Sequence, residues 1–247
     1  MNSILITGAS RGIGRSIALA AARTGNYNKI VLNCHKNAAL LSQVCDEVNA
    51  LLNSSDHIDD PVCITSVGDI SDISYVQNLR KQAGRIDVLI NNSAISLTGL
   101  LIDMSPEQWN LIVNTNITSL YNTCHTFIPD MISAKKGRII NISSVWGLVG
   151  ASCEVAYSAT KGAVNSFTKA LAKELAPSNI QVNALALGIV DTEMNSHLSS
   201  EDIADIKEEI PSGYILSPDE AASAVIKLLE MPDYFTGEIV KLDGAWQ

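Results

Sequence analysis

Residues 3–14 read SILITGASRGIG. The opening residues form a short, apolar, isoleucine-rich run, the pattern of a buried strand. Gly8, Gly12 and Gly14 then spell GxxxGxG, and an amphipathic stretch follows over 13–24. Glycine is needed where a chain turns sharply and where its backbone must come close to a pyrophosphate. The N–H groups at the start of the next helix, with its partial positive charge, suit an anion. Strand, turn and helix in that order predict a dinucleotide-binding unit. Taken alone, the same letters also fit a glycine-rich turn that binds nothing.

Outward from this unit the alternation continues. Strands are predicted at 29–33, 62–66, 86–90, 137–143, 180–186 and 238–242. Helical periodicity covers 37–52, 72–82, much of the chain from residue 91 to about 133, 156–175 and 217–229. Strands apolar on both faces that alternate with helices imply a parallel sheet covered on both sides. The predicted fold is α/β: a single domain over 1–247, a doubly wound parallel sheet of Rossmann type with helices on both faces. An eight-stranded barrel does not fit the strand count. The polar stretch 53–61, NSSDHIDDP, is expected to be a surface loop. Residues 188–216, with a short helical pattern at 200–209, are expected to form a movable substrate loop within the domain.

Composition removes several classes of function. The 247 residues are 47% hydrophobic, ample for a large core. A net charge of −9 disfavours nucleic acid and anionic membranes as partners. No apolar run reaches the roughly 18 residues of a membrane span, and the first residues lack a signal-peptide pattern. Cys34, Cys45, Cys63, Cys124 and Cys153 are odd in number and form no CxxC. They read as free thiols of a reducing compartment, the cytoplasm. His35, His57, His125 and His197 show neither HxxxH nor HExxH, so no metal site is expected.

The second strand ends Asn33-Cys34-His35-Lys36, without the carboxylate that usually holds the ribose of NAD. Arg11, His35 and Lys36 would surround a 2′-phosphate with no anion opposing it. That favours NADP(H) over NAD(H). Farther on, residues 153–167 read CEVAYSATKGAVNSF and put Tyr157 and Lys161 four apart, on one face of a helix. A unit charge about 4 Å away, at an effective dielectric near 20, is worth roughly 4 kcal/mol. That is enough to bring a phenol of pKa about 10 close to neutrality. A tyrosine and lysine four apart also occur by chance, and the pair alone does not decide.

The motifs TGASRGIG, INNSA, VNTNITS, NISSVWGLVG, AYSATKGAV and VNALALGIVDTEM occur in this order across the chain. In order and spacing the chain resembles the short-chain dehydrogenase/reductases. Within them it looks most like the 3-oxoacyl-acyl-carrier-protein reductases. The resemblance implies four catalytic residues: Asn116, Ser144, Tyr157 and Lys161. Tyr157 would protonate the carbonyl oxygen, Ser144 would orient it, Lys161 would tune Tyr157 and hold the nicotinamide ribose, and Asn116 would hold a water in the proton relay. It also implies cofactor contacts from Gly8, Ala9, Ser10, Arg11 and Ile13 at the phosphates, from Asp69 and Ile70 at the adenine, and from Asn92 in the turn after the fourth strand. Val190 and Thr192 would face the nicotinamide. Asp69 and Thr192 could equally be helix N-caps.

The chain departs from the family's pattern in Ala94, Leu187 and the ending Asp243-Gly244-Ala245-Trp246. Relatives that act on carrier-bound substrates use basic residues beside the active-site mouth to receive an acyl carrier protein. One such position matches Lys135, next to Lys136; a second falls in Pro177-Ser178-Asn179 and has no base. The expected activity is NADPH-dependent reduction of a 3-oxoacyl thioester, carrier-bound or free, of the fatty acid synthesis type. The alternatives are a reductase of a small ketone, sugar or polyol, and a non-catalytic dinucleotide-binding protein. The resemblance further implies a homotetramer built on the long helices after the fourth and fifth strands.

Overall fold

The computed structural model describes residues 2–53, 61–196 and 198–247. The loop expected at 53–61 falls almost wholly outside these residues, as do His57 and His197. The strands are β1 (Ser3–Ile6), β2 (Lys29–Cys34), β3 (Val62–Val67), β4 (Val88–Asn91), β5 (Gly137–Ser144), β6 (Ile180–Leu187) and β7 (Ile239–Leu242). They form one seven-stranded sheet in the order β3-β2-β1-β4-β5-β6-β7, and every pairing is parallel. The sheet is open, with β3 and β7 at its edges, which sets the barrel aside.

The helices are α1 (Gly12–Arg23), α2 (Ala38–Asn53), α3 (Ile73–Ala83), α4 (Pro106–Val113), α5 (Ser119–Ala134), α6 (Trp146–Val149), α7 (Val155–Leu175), α8 (Ser200–Glu209) and α9 (Pro218–Leu229). Alternate residues of each strand feed two cores. Ile4, Ile6, Ile30 and Leu32 pack with α1, α2 and α9 on one face. Leu5, Val31, Leu89 and Ile139 pack with α3, α5 and α7 on the other. Many of these side chains are wholly buried, and each contributes roughly 1.5–3 kcal/mol. The reason the central strands are apolar throughout is thus visible: neither of their faces meets water, whereas the edge strands β3 and β7 carry exposed residues.

Chain order reverses between β1 and β4. The connections from β1 run outward to β2 and β3, while those from β4 run the other way. At such a switch point the loops leaving the C-terminal strand ends part and open a crevice. Both the glycine turn after β1 and the segment after β4 enter it.

Candidate active site

Gly8 adopts φ +66, turning the chain sharply after β1, and the Ala9 N–H donates to the Asn33 carbonyl at 2.8 Å. A Cβ on Gly14 would stand 2.2 Å from the Gly8 oxygen and 2.7 Å from Asn92 Nδ2. Only glycine lets the first turn of α1 sit so close to the loop. Asn92 braces that loop, its Nδ2 donating to the Thr7 carbonyl at 2.9 Å and to Gly8 at 3.3 Å. The N-cap residue Arg11 makes no side-chain cap, and the first turn of α1 carries no acid. Backbone donors, room that a Cβ would fill and a helix N-terminus form a cradle that fits a dinucleotide pyrophosphate. Ser10 lies half-buried in it, and Ile13 packs its side chain down onto the core.

At the adenosine end, His35 and Lys36 are exposed where β2 stops. Asp69 accepts from the Ser71 N–H at 2.8 Å, and the cap of α3 is Asp72 instead. Ile70 is buried beside Asp69. The expected absence of opposing anions is corrected here. Arg11 is bound to Glu193 Oε2 at 2.5 Å, and His35 Nε2 lies 3.7 Å from Asp69. The reason is the loop after β6, which folds back over the glycine turn and brings Glu193 with it. Lys36 has no carboxylate partner among the described residues. On the nicotinamide side Val190 is buried and bridged to Leu216. Thr192 makes no side-chain cap; its Cγ2 would be 3.3 Å from a Cβ on Gly12.

Asn116, Ser144, Tyr157 and Lys161 converge at the end of β5. Asn116 sits in a wide π-type turn, residues Asn114–Thr118, between α4 and α5; such insertions recur at functional sites. Its side chain accepts from the Ile95 N–H at 2.9 Å and donates to the Ile95 carbonyl and to Thr160, each at 3.0 Å. That ties the loop after β4 to α7. The two serines ending β5 point different ways. Ser143 is bonded to Asn165 at 2.7 Å on α7, whereas the Ser144 hydroxyl accepts from the Trp146 N–H at 3.2 Å and lies near enough to the Tyr157 phenol to lower its pKa.

Lys161 is 3% exposed. Its ammonium donates to the Ile142 carbonyl at 2.8 Å and lies 5.5 Å from the centre of the Tyr157 ring. A small cavity of about 10 Å³ touches Asn116, Lys161, Ile70 and Ser93, near the minimum for one water. Gly147 permits this geometry: a Cβ there would meet the Lys161 carbonyl carbon at 2.5 Å, so α6 lies directly on the backbone of α7.

The electrostatics differ from the sequence expectation. Burial raises the Tyr157 pKa, the nearby Glu154 carboxylate raises it further, and Ser144 pulls it back down. Burial lowers Lys161 from 10.5 to about 8. Desolvation dominates for Lys161 because its ammonium is buried and held by a carbonyl, with no carboxylate beside it. Glu154 was not anticipated. It precedes Tyr157 by three residues and accepts from Ser96 at 2.6 Å, and the i,i+3 spacing was its only sequence signal. Glu193 left no such signal, standing 182 residues from Arg11.

Two departures prove mild. Ala94 is absent from the left-handed residues, so its methyl brings no backbone strain. Leu187 is buried and accepts from the Val145 N–H at 2.9 Å, which anchors the segment behind Ser144. The expectation for Lys135 is corrected. Lys135 and Lys136 precede β5, and Lys136 lines a depression with Asn2, Lys29, Arg85 and Asp87. All of these stand at the N-terminal ends of the strands, the opposite edge of a parallel sheet from the crevice.

Residues 2–203 match the family model described as short chain dehydrogenase, and the chain belongs to that family. Among individual proteins it is 41% identical, over 98% of its length and 97% of the other's, to "Uncharacterized oxidoreductase YmfI" of Bacillus subtilis. It is 36% identical to the 3-oxoacyl-[acyl-carrier-protein] reductase FabG of Chlamydia trachomatis, over 98% and 95% of the two chains. The crystal structure of a 3-oxoacyl-[acyl-carrier protein] reductase from Brucella melitensis superposes with a TM-score of 0.90 at 30% identity, covering 100% of this chain and 91% of that one. A second structure of such a reductase from Brucella melitensis, with bound NAD, gives 0.88 at 30% identity, with the same coverage of both chains. The chain is thus an oxidoreductase of the short-chain dehydrogenase family with a site for a nicotinamide dinucleotide.

Proposed function

We propose that this protein reduces the ketone of a 3-oxoacyl thioester to the 3-hydroxy product with NADPH. The observation that carries the reading is the buried Lys161 ammonium, 5.5 Å from the centre of the Tyr157 ring, at the end of the strand that bears Ser144. When bound, NADPH supplies the hydride. Ser144 and Tyr157 both bond the substrate oxygen and orient the ketone, and the phenol gives its proton to that oxygen as negative charge develops. A phenol is protonated at neutral pH in any case; burial and Glu154 raise its pKa, and the positive charge of Lys161 beside the ring is what would offset that as the proton leaves. Lys161 holds the nicotinamide ribose and stabilises the phenolate left behind. Asn116 braces the loop and borders the cavity from which a water refills the proton through Lys161. Gly8, Ala9, Ser10, Arg11 and Ile13 hold the pyrophosphate, Asp69, Ile70 and Asn92 the adenosine, and Val190 and Thr192 the carboxamide. Lys36, with His35, favours the 2′-phosphate of NADP(H).

The thioester reading is supported by the names of the relatives and by an apolar rim. Leu148, Val149, Val155 and Met194 are 46%, 58%, 42% and 45% exposed on segments flanking Ser144 and Tyr157. A second reading, reduction of a small carrier-free ketone, sugar or polyol, is favoured by the position of Lys135 and Lys136 at the far edge. We take the functional unit to be one domain over 1–247 with 188–216 as its substrate loop. We also take it to act in the cytoplasm as a homotetramer, and to receive the acyl group free or on an acyl carrier protein. The test is turnover with NADPH and with NADH on an acetoacetyl thioester and on a panel of sugars and polyols. NADPH-dependent thioester reduction is expected. Robust sugar turnover without thioester turnover would sink the first reading, and a strong preference for NADH would sink the assignment of Lys36.

A further inference from the structure

The C-terminal departure has a structural consequence. Ala245 adopts φ +68, a left-handed backbone unfavourable for any residue with a Cβ. Asp243 enforces it, Oδ1 accepting from the Ala245 N–H at 3.1 Å and Oδ2 from the Gln247 N–H at 2.9 Å. The Gly244 carbonyl accepts from the Ser212 N–H at 3.2 Å, which fixes the strap to the substrate loop. The turn sends Trp246 back onto the crevice. Its indole lies 5.0 Å from that of Trp146, tilted by 59°, and its Nε1 donates to Glu209 at 3.3 Å. Trp146 stands two residues after Ser144 and donates its N–H to the Ser144 hydroxyl. Glu209 is the last residue of α8. The two indoles therefore bridge the catalytic serine's segment and the helix of the substrate loop. Neither is fully buried, and no residue of α8 is buried, so the indoles hold an element with few other anchors.

We infer that Trp246, backed by Trp146, is the end wall of the acyl pocket and restricts the enzyme to short 3-oxoacyl groups. The inference rests on the thioester reading above. α6 follows Ser144 directly and Glu209 ends α8, so an acyl chain that runs from a ketone held at Ser144 and Tyr157 toward the substrate loop meets the indole pair joining these two elements. Trp246 is a specificity-determining residue here, acting by volume without touching the reacting atoms.

The test compares wild type, Trp246→Ala and Trp246→Phe with NADPH and the N-acetylcysteamine thioesters of 3-oxobutanoate and 3-oxodecanoate. Wild type is expected to favour the shorter chain. Trp246→Ala should raise the decanoyl-to-butanoyl ratio of kcat/KM by about tenfold or more, a change typical of pocket volume, and Trp246→Phe should raise it less. A Trp246→Ala ratio within about threefold of wild type, with butanoyl turnover retained, overturns the inference and leaves the thioester reading standing. No thioester turnover by wild type overturns both. Should Trp246→Ala fail to fold, Trp246→Leu, which keeps an apolar side chain but shortens the wall, carries the test: a rise in the ratio supports the wall, and an unmoved ratio overturns it.

Discussion

Lys161 carries the clearest energetic signature of function. Burying its ammonium lowers its pKa from 10.5 to about 8, a cost of about 3 kcal/mol. Below about pH 8 both the folded and the unfolded chain hold that proton, and the cost is fully present. Between about 8 and 10.5 the folded chain releases it first, so this contribution to stability improves as pH rises. Two outcomes follow at this scale. Lys161→Met removes a buried charge while leaving the Ile142 carbonyl without its donor, and should stabilise the fold by about 2 kcal/mol at pH 7 while abolishing turnover; urea denaturation measures the first and a steady-state assay the second. A variant destabilised at pH 7 would mean that the ammonium is better solvated than its burial implies. Independently, kcat/KM for reduction should fall as pH rises through about 8, as the Lys161 charge is lost. A flat profile to pH 10 would remove Lys161 from the chemistry.

The elements show what a sequence can and cannot announce. The central strands and the packed helices were legible because those strands are apolar on both faces and those helices on one, and the glycine turn was legible because its backbone demands leave a signature in letters. Gly14→Ala forces a methyl to 2.2 Å from the Gly8 oxygen. It should cost about 1–3 kcal/mol of stability and weaken dinucleotide affinity by at least tenfold, read by isothermal titration; unchanged affinity would mean the loop does not carry the pyrophosphate. The π-type turn at Asn116 was illegible, since one extra residue inside a helical run barely disturbs its periodicity. Gly147 was illegible too, because its reason is a backbone brought close by α7. The start of β4 shifted from Ile86 to Val88, as Asp87 turns to accept the Asn2 and Ser3 N–H groups. The Arg11–Glu193 pair joins residues distant in sequence. Both side chains are 62% exposed, so Glu193→Gln should alter stability by less than about 1 kcal/mol. Its effect should appear as a changed KM for the dinucleotide, with kcat little altered.

For the whole molecule, the parallel sheet gathers the candidate site at one edge, and its outer helices carry unspent apolar surface. Trp109, Leu111 and Tyr121 on α4 and α5 are 40%, 52% and 52% exposed. In the proposed tetramer these side chains would meet a second copy. Leu111→Glu should then lower the mass seen by light scattering to that of a smaller species, and a wild type that is already monomeric would remove the tetramer from the account. In the proposed mechanism Tyr157 delivers the proton to the reduced ketone. The most direct test of this step is single-turnover reduction of an acetoacetyl thioester by NADPH, comparing wild type with Tyr157→Phe under conditions where the dinucleotide is shown to be bound. The rate should be at least about a hundredfold lower in the variant with NADPH affinity retained; an equal rate would rule Tyr157 out as the proton donor.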